Sequence, residues 1–183
     1  MNNHKNTHKH TNHIPVLGFC AHSSGIGKTT LLTQLIPALI QQGLRISVVK
    51  HAHHEFDIDH EGKDSFKLRQ AGAVQMMVAS RQRWALMTEL VRTPHAENEP
   101  ILAHLLAQMD GNLTDLILAE GFKHEAIPKI EVHRAAFGTP LLASEDANII
   151  AIATDTPLPI ATPQIDLNDI NAIAAFIHTW LKK

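Results

Sequence analysis

The sequence predicts an α/β fold in three layers, a mainly parallel β-sheet flanked by helices, with a small antiparallel β extension. Three observations lead there. Residues 16–21, 44–50, 116–119 and 149–153 read as strands, the first an apolar run without alternation that fits burial on both faces and the last a further buried strand, as a parallel sheet requires. The first two bracket a stretch with helical apolar spacing, which makes a strand–helix–strand unit. The turn between the first run and that helix is rich in Ser and Gly, so the chain reverses tightly at one edge of the sheet.

Taken in order, structure is expected to begin at Ile14. The tail before it carries His4, His8, His10 and His13 among Asn, Lys and Thr. With almost nothing to bury, residues 1–13 are expected to be disordered, leaving 14–183 as one folded domain. Residues 28–42 place Leu31, Leu32, Leu35, Ile36, Leu39 and Ile40 on one stripe. Gly43 stops this helix, and Pro37 inside it predicts a kink. The crossover to the strand at 44–50 should be right-handed. Residues 51–62 read as a loop and 63–71 as a short helix ended by Gly72. Residues 74–79 and 83–88 flank Ser80-Arg81-Gln82 as an antiparallel hairpin. With a strand at 129–133, this hairpin is expected to build the antiparallel extension. Pro100 can open a helix over 101–109. Residues 155–163 hold Pro157, Pro159 and Pro163 and form a loop. Asn168 is the expected cap of a last helix whose stripe is Ile170, Ile173, Ala174, Ile177 and Leu181.

Composition narrows the function. Of 183 residues, 44% are apolar and 19% charged, as in a soluble globular protein. A net charge of -2 supplies no basic face, so neither nucleic acid nor an anionic membrane is an expected partner. No apolar run reaches the roughly 18 to 20 residues that span a bilayer. The single cysteine, Cys20, suits a reducing cytoplasm and reads as a small core side chain.

The chemistry concentrates in Ser23-Ser24-Gly25-Ile26-Gly27-Lys28-Thr29-Thr30. A helix start leaves its first amides unpaired, and glycines before it let the backbone close around an anion. This is the phosphate cradle of the P-loop NTPase fold. Lys28 would reach the β- and γ-phosphates, and Thr29 would offer its hydroxyl to Mg²⁺. His22 stands where that motif usually has its first glycine. A metal-side carboxylate is expected at the end of a neighbouring strand. Glu120 closes Leu-Ile-Leu-Ala and meets that expectation, whereas Asp115 falls at the opposite end of the same strand. The loop Lys50-His51-Ala52-His53-His54-Glu55-Phe56-Asp57-Ile58-Asp59 should share the sheet's carboxyl edge. There Asp57, Asp59, Lys63 and Asp64 could meet Mg²⁺, a water or a partner's phosphate, with Asp59 the chosen metal candidate. The Asn-Lys-x-Asp guanine signature is absent; Asp155, after a buried strand, is the candidate acceptor for guanine N1 and N2.

These residues resemble the molybdopterin-guanine dinucleotide biosynthesis adapter proteins, called MobB. The resemblance is carried by Ser24-Gly25-Ile26-Gly27-Lys28-Thr29-Thr30-Leu31-Leu32, Lys50-His51-Ala52-His53-His54, Gly62-Lys63-Asp64-Ser65 and Arg69-Gln70-Ala71-Gly72-Ala73. It continues through Gln82-Arg83-Trp84-Ala85-Leu86-Met87-Thr88-Glu89 and Glu120-Gly121-Phe122-Lys123-His124-Glu125. It implies binding of GTP with Mg²⁺, weak hydrolysis at most, and a homodimer with an extended sheet. It also implies partnership with the guanylyltransferase that joins GMP to molybdopterin, with molybdopterin a further candidate ligand. Phosphate binding then falls on Gly25, Gly27, Lys28 and Thr29, with Glu120 near the metal. Three other readings of the residues remain open: a metal-delivery GTPase with a histidine-rich tail, a small-molecule kinase, and a scaffold whose nucleotide is structural.

Overall fold

The computed structural model describes residues 14–52, 56–94 and 99–183. The histidine-rich tail, with its expected disorder, and His53, His54 and Glu55 of the histidine loop lie outside the described residues. The elements run β1 (Val16–Cys20), α1 (Lys28–Gln41), β2 (Ile46–Lys50), α2 (Asp64–Gln70), β3 (Gln75–Ala79), β4 (Trp84–Thr88), α3 (Leu102–Leu106), β5 (Leu116–Glu120), β6 (Lys129–His133), β7 (Ile149–Thr154), β8 (Gln164–Asp166) and α4 (Ile170–Trp180). They divide into two compact units, one built from Met1–His51 and Leu102–Lys183, the other from Ala52–Ile101.

The first unit is a six-stranded sheet in the order β2-β5-β1-β6-β7-β8, parallel throughout. Alternation in β5 feeds both faces. Leu116 and Leu118 join Leu17, Phe19, Ile130 and Val132 under α1 and α4, through Leu31, Leu35, Leu39, Ile173 and Ile177. Ile117 and Ala119 face Leu102 of α3 and Phe122. Each central strand is thus covered twice, which is why its sequence is apolar without a break. Residue pairs Phe19–Glu120 and Lys50–Glu120 bring the last residues of β1, β2 and β5 to one edge. At the opposite edge Arg45 and Asp115 pair at 2.6 Å, and the Arg45 guanidinium holds the Asp115 carboxyl down at about 2. No described helix is long and apolar enough to cross a membrane.

Two expectations are corrected. The strand at 129–133 is not part of an antiparallel extension: β6 lies inside the parallel sheet, between β1 and β7. Lys-Ile-Glu-Val-His alternates as a half-exposed strand would, yet Lys129 and Glu131 are 1% and 0% exposed. Their charges are met internally. Lys129 Nζ lies 2.7 Å from Asp146 Oδ2, and Glu131 accepts the amides of Leu142 and Ala143 at 2.9 and 2.8 Å. α1 continues through Pro37 as its apolar stripe predicts, and the proline's missing donor removes a single rung. α4 is capped by Asp169, not Asn168, with Asp169 Oδ1 accepting from Ala172 N at 2.9 Å. β8 follows the proline loop and was not expected; three residues are too few to show a period.

The second unit holds the predicted hairpin, β3 against β4 from Gln75–Thr88 to Ala79–Trp84. Ser80 Oγ closes its turn by accepting the amides of Gln82 and Arg83, each at 3.2 Å. Arg69 of α2 is 8% exposed and bonds Glu89 at 2.8 Å and Asp57 beside it. Arg92 bonds the carbonyls of Arg69 and Ala73, each at 2.7 Å. Two guanidinium groups thereby tie a helix, a hairpin and a loop that offer little core of their own.

Gly18 lets β1 lie against the buried Lys129 stem. A Cβ there would stand 2.6 Å from Lys129 Cγ and 3.1 Å from Ile127 Cδ1. Lys129 cannot swing away, because its ammonium is held by Asp146 and the Glu125 carbonyl. Gly18→Ala is therefore expected to destabilise the chain by about 1–3 kcal/mol, read from the midpoint of urea unfolding.

Candidate functional site

The site forms where β1 ends and α1 begins. Cys20 is buried, and the chain then turns through Gly25 (φ 79°) and Gly27 (φ 110°), both in a region that side chains resist. Ile26 between them is 1% exposed, so its side chain anchors the turn in the core while the flanking backbone faces out. Gly27 is the residue before the helix, and Lys28, Thr29 and Thr30 supply its first turn, whose amides lack intrahelical acceptors. Lys28 Nζ donates to the Ser23 carbonyl at 3.2 Å, folding back over the loop. Burial pushes the Lys28 ammonium down in pKa, with Glu120 opposing that shift.

Thr29 and Glu120 are brought together from sequence positions far apart. Thr29 Oγ1 donates to Glu120 Oε1 at 2.7 Å. Glu120 is nearly buried, and Lys50 Nζ lies 3.1 and 3.2 Å from its two oxygens and 3.2 Å from Thr29 Oγ1. The donor set a cation would meet here is a hydroxyl and a carboxylate, hard oxygens of the kind Mg²⁺ takes, and an ammonium already sits against them. The residues therefore fit the metal the motif implies. His51 follows Lys50, gives its amide to the Glu120 carbonyl at 2.9 Å, and stacks on Phe122 with ring centroids 5.4 Å apart. Gly121 (φ 93°) makes room: a Cβ there would sit 3.3 Å from the His51 backbone carbonyl.

Arg134, just past β6, approaches the same turn from the other side. Its Nε donates to the Ile26 carbonyl at 3.2 Å and its Nη1 to Asp155 Oδ2 at 3.4 Å. Asp155 Oδ1 accepts from Ala135 N at 3.1 Å and from Thr156 Oγ1 at 3.3 Å; the backbone donor comes first among the causes that hold its carboxyl low. Beside this linkage opens a pocket lined by Gly27, Thr30, Gln34, Arg134, Leu167 and Asn168.

Of the predicted site residues, Ser24 through Thr30 form the turn and first helical turn, Glu120 joins Thr29, and Asp155 lies at the end of β7. Asp59 belongs to the second unit. There its Oδ1 accepts from Ser65 Oγ at 2.9 Å and from His60 N at 3.0 Å, while Oδ2 is buried without a partner among the described residues. Asp57 accepts from Asp59 N at 2.9 Å and pairs with Arg69. Lys50 and Arg134 were missed as site residues. The rule that found Glu120, a charge closing a buried strand, applies to Lys50 after Val48-Val49 and to Arg134 after Val132-His133. Cys20 is a buried core side chain, as expected, and burial, then Glu131, pushes its thiol up to about 12.

A parallel sheet whose central strand passes through a glycine turn into a helix, with a hydroxyl and a carboxylate joined at its mouth, defines a P-loop nucleotide-binding fold. The chain belongs to the molybdopterin guanine dinucleotide synthesis protein B family, MobB, whose profile matches residues 16–155. It is 50% identical over 171 residues to the molybdopterin-guanine dinucleotide biosynthesis adapter protein of Escherichia coli, covering 93% of this chain and 95% of that one. To the protein of the same name from Haemophilus influenzae it is 48% identical over 171 residues, covering 93% and 91%. A crystal structure of molybdopterin-guanine biosynthesis protein B superposes with a TM-score of 0.70 at 25% identity, covering 92% of this chain and 99% of that one. Bacillus subtilis MobB superposes at 0.67 and 20% identity over 91% and 97% of the two chains, a likeness of fold.

Gly27→Ala should place a side chain at φ 110°, with Arg134 Nε only 3.7 Å from the new Cβ. A loss of about 1–3 kcal/mol in thermal or urea unfolding is expected, and an unchanged midpoint would contradict the strain.

Proposed function

We propose that this protein is a GTP-binding adapter in molybdopterin-guanine dinucleotide biosynthesis, assisting the guanylyltransferase that attaches GMP to molybdopterin. The observation that carries the nucleotide part is the Thr29–Glu120 contact of 2.7 Å at the mouth of α1, inside a chain of the MobB family. Ser24, Gly25, Ile26, Gly27 and Thr30 supply backbone donors to the phosphates, and Lys28 supplies the charge. Thr29 and Glu120 hold Mg²⁺, and the ion neutralises charge on the phosphates. Asp155 reads guanine with the lone pairs its present donors leave free. Hydrolysis is slow when the protein is alone, since no water-orienting glutamine or arginine finger is identified. The relatives named as adapters support action on a partner enzyme, and molybdopterin is a further ligand candidate. The protein works in the cytoplasm as a homodimer. A metal-delivery role is disfavoured by Cys20, whose side chain is buried in the core and not offered at a surface site.

Calorimetry with GTP and ATP in Mg²⁺ tests the reading. Lys28→Ala should weaken GTP binding at least about tenfold, because a charge-assisted hydrogen bond contributes roughly 1.5–3 kcal/mol. Equal affinities for mutant and parent would remove the phosphate assignment. Asp155→Asn should narrow the preference for GTP over ATP, and an unchanged ratio would remove the guanine assignment.

A further inference from the structure

Lys50 closes β2, and its side chain is 52% exposed. An ammonium on a four-carbon stem is costly in rotamer entropy to fix. Yet Nζ stands 3.1 Å from Glu120 Oε1, 3.2 Å from Glu120 Oε2 and 3.2 Å from Thr29 Oγ1. Three donors meet three oxygens, the full capacity of an ammonium. Glu120, with a side chain only 9% exposed, is thereby neutralised by a neighbour held in register one strand away.

The two residues that Lys50 grips are the two assigned above to Mg²⁺. We propose that Lys50 is a tethered counter-cation that competes with the divalent metal for the oxygens of Thr29 and Glu120. This deepens the nucleotide reading and rests on it. Two cations on one pair of oxygens repel strongly in a partly dry site, so either holds the position only when the other has left. The half-exposed stem gives the ammonium a way out to water, which a buried lysine would lack. Metal affinity in this protein is therefore set below what its oxygens alone would give. A triphosphate also meets a positively charged site whether or not metal accompanies it. Lys50 acts through Glu120 and Thr29 as a positioning residue.

The test uses the full chain with Mn²⁺ as the probe, free Mn²⁺ being read by electron paramagnetic resonance with and without a non-hydrolysable GTP analogue. Lys50→Met, and Lys50→Gln as a second neutral variant, should bind Mn²⁺ at least about tenfold more tightly than the parent. In chelator, both should bind the analogue more weakly than the parent does. On the unaltered protein, Mg²⁺ should raise the rate at which Lys50 is acylated, read by mass spectrometry, and leave exposed Lys67 unchanged. Equal or weaker Mn²⁺ affinity in both variants, or Lys50 labelling insensitive to Mg²⁺, overturns the competition. If the analogue still binds in those cases, the nucleotide reading survives. Analogue binding by neither parent nor variants sinks that reading, and absence of Mn²⁺ binding throughout overturns the competition with it.

Discussion

The hydrogen bond from Thr29 to Glu120 is the constraint on which the site depends. Its two ends lie 91 residues apart and meet only because β1 and β5 are adjacent and parallel with Phe19 opposite Glu120. A register slip of one residue would turn Glu120 to the other face and bury a carboxylate against Phe122 and Leu102, where nothing could receive its charge. Apolar packing on the two faces of β5 and the polar contact at its end therefore demand the same register. Lys50 enters by the same route, since β2 pairs β5 with Lys50 opposite Glu120. Three side chains from three elements converge without any loop having to find them.

A different compromise holds the far side of β1. Strand β6 carries Lys129 and Glu131 into the interior, which costs free energy unless each charge is met. Asp146 and the Glu125 carbonyl meet the lysine, and the amides of Leu142 and Ala143 meet the glutamate. The segment between β6 and β7 is thereby fixed by the strand it covers. Gly18 completes the arrangement by giving the Lys129 stem the space a β-carbon would fill. Polar residues here specify the order of strands around β1, work that apolar residues could do less selectively.

The parts of the fold legible in the sequence were those written in local pattern. Apolar runs gave β1, β5 and β7, the strand–helix–strand order gave β2, the leucine stripe gave α1, and the Ser- and Gly-rich stretch gave the turn before it. Glu120 was legible because a charge closing an apolar run can lie only at the sheet edge. β6 was misplaced because its buried charges imitate exposure, and the partners that neutralise them come from a segment with no signal of its own. Lys50 carried the same positional signal as Glu120, but which neighbour it would reach depended on strand order, which periodicity does not encode. Arg134 was hidden for the same reason: its acceptor, the Ile26 carbonyl, lies 108 residues earlier and is a backbone atom.

Arg134 joins the glycine turn to the end of β7. One guanidinium touches the Ile26 carbonyl within the glycine turn and the Asp155 carboxylate at the end of β7. Asp155 is further committed to Ala135 N, the residue next to Arg134. A base that took up lone pairs of Asp155 would draw on the same carboxylate that orients Arg134, and Arg134 in turn steadies the backbone between Gly25 and Gly27. Under the proposed assignment of Asp155 to the base, base recognition and phosphate binding would therefore not be independent. A change at Asp155 would then reach the glycine turn through one side chain, so its effect on affinity would include a contribution common to every nucleotide, and only the difference between nucleotides would isolate the base.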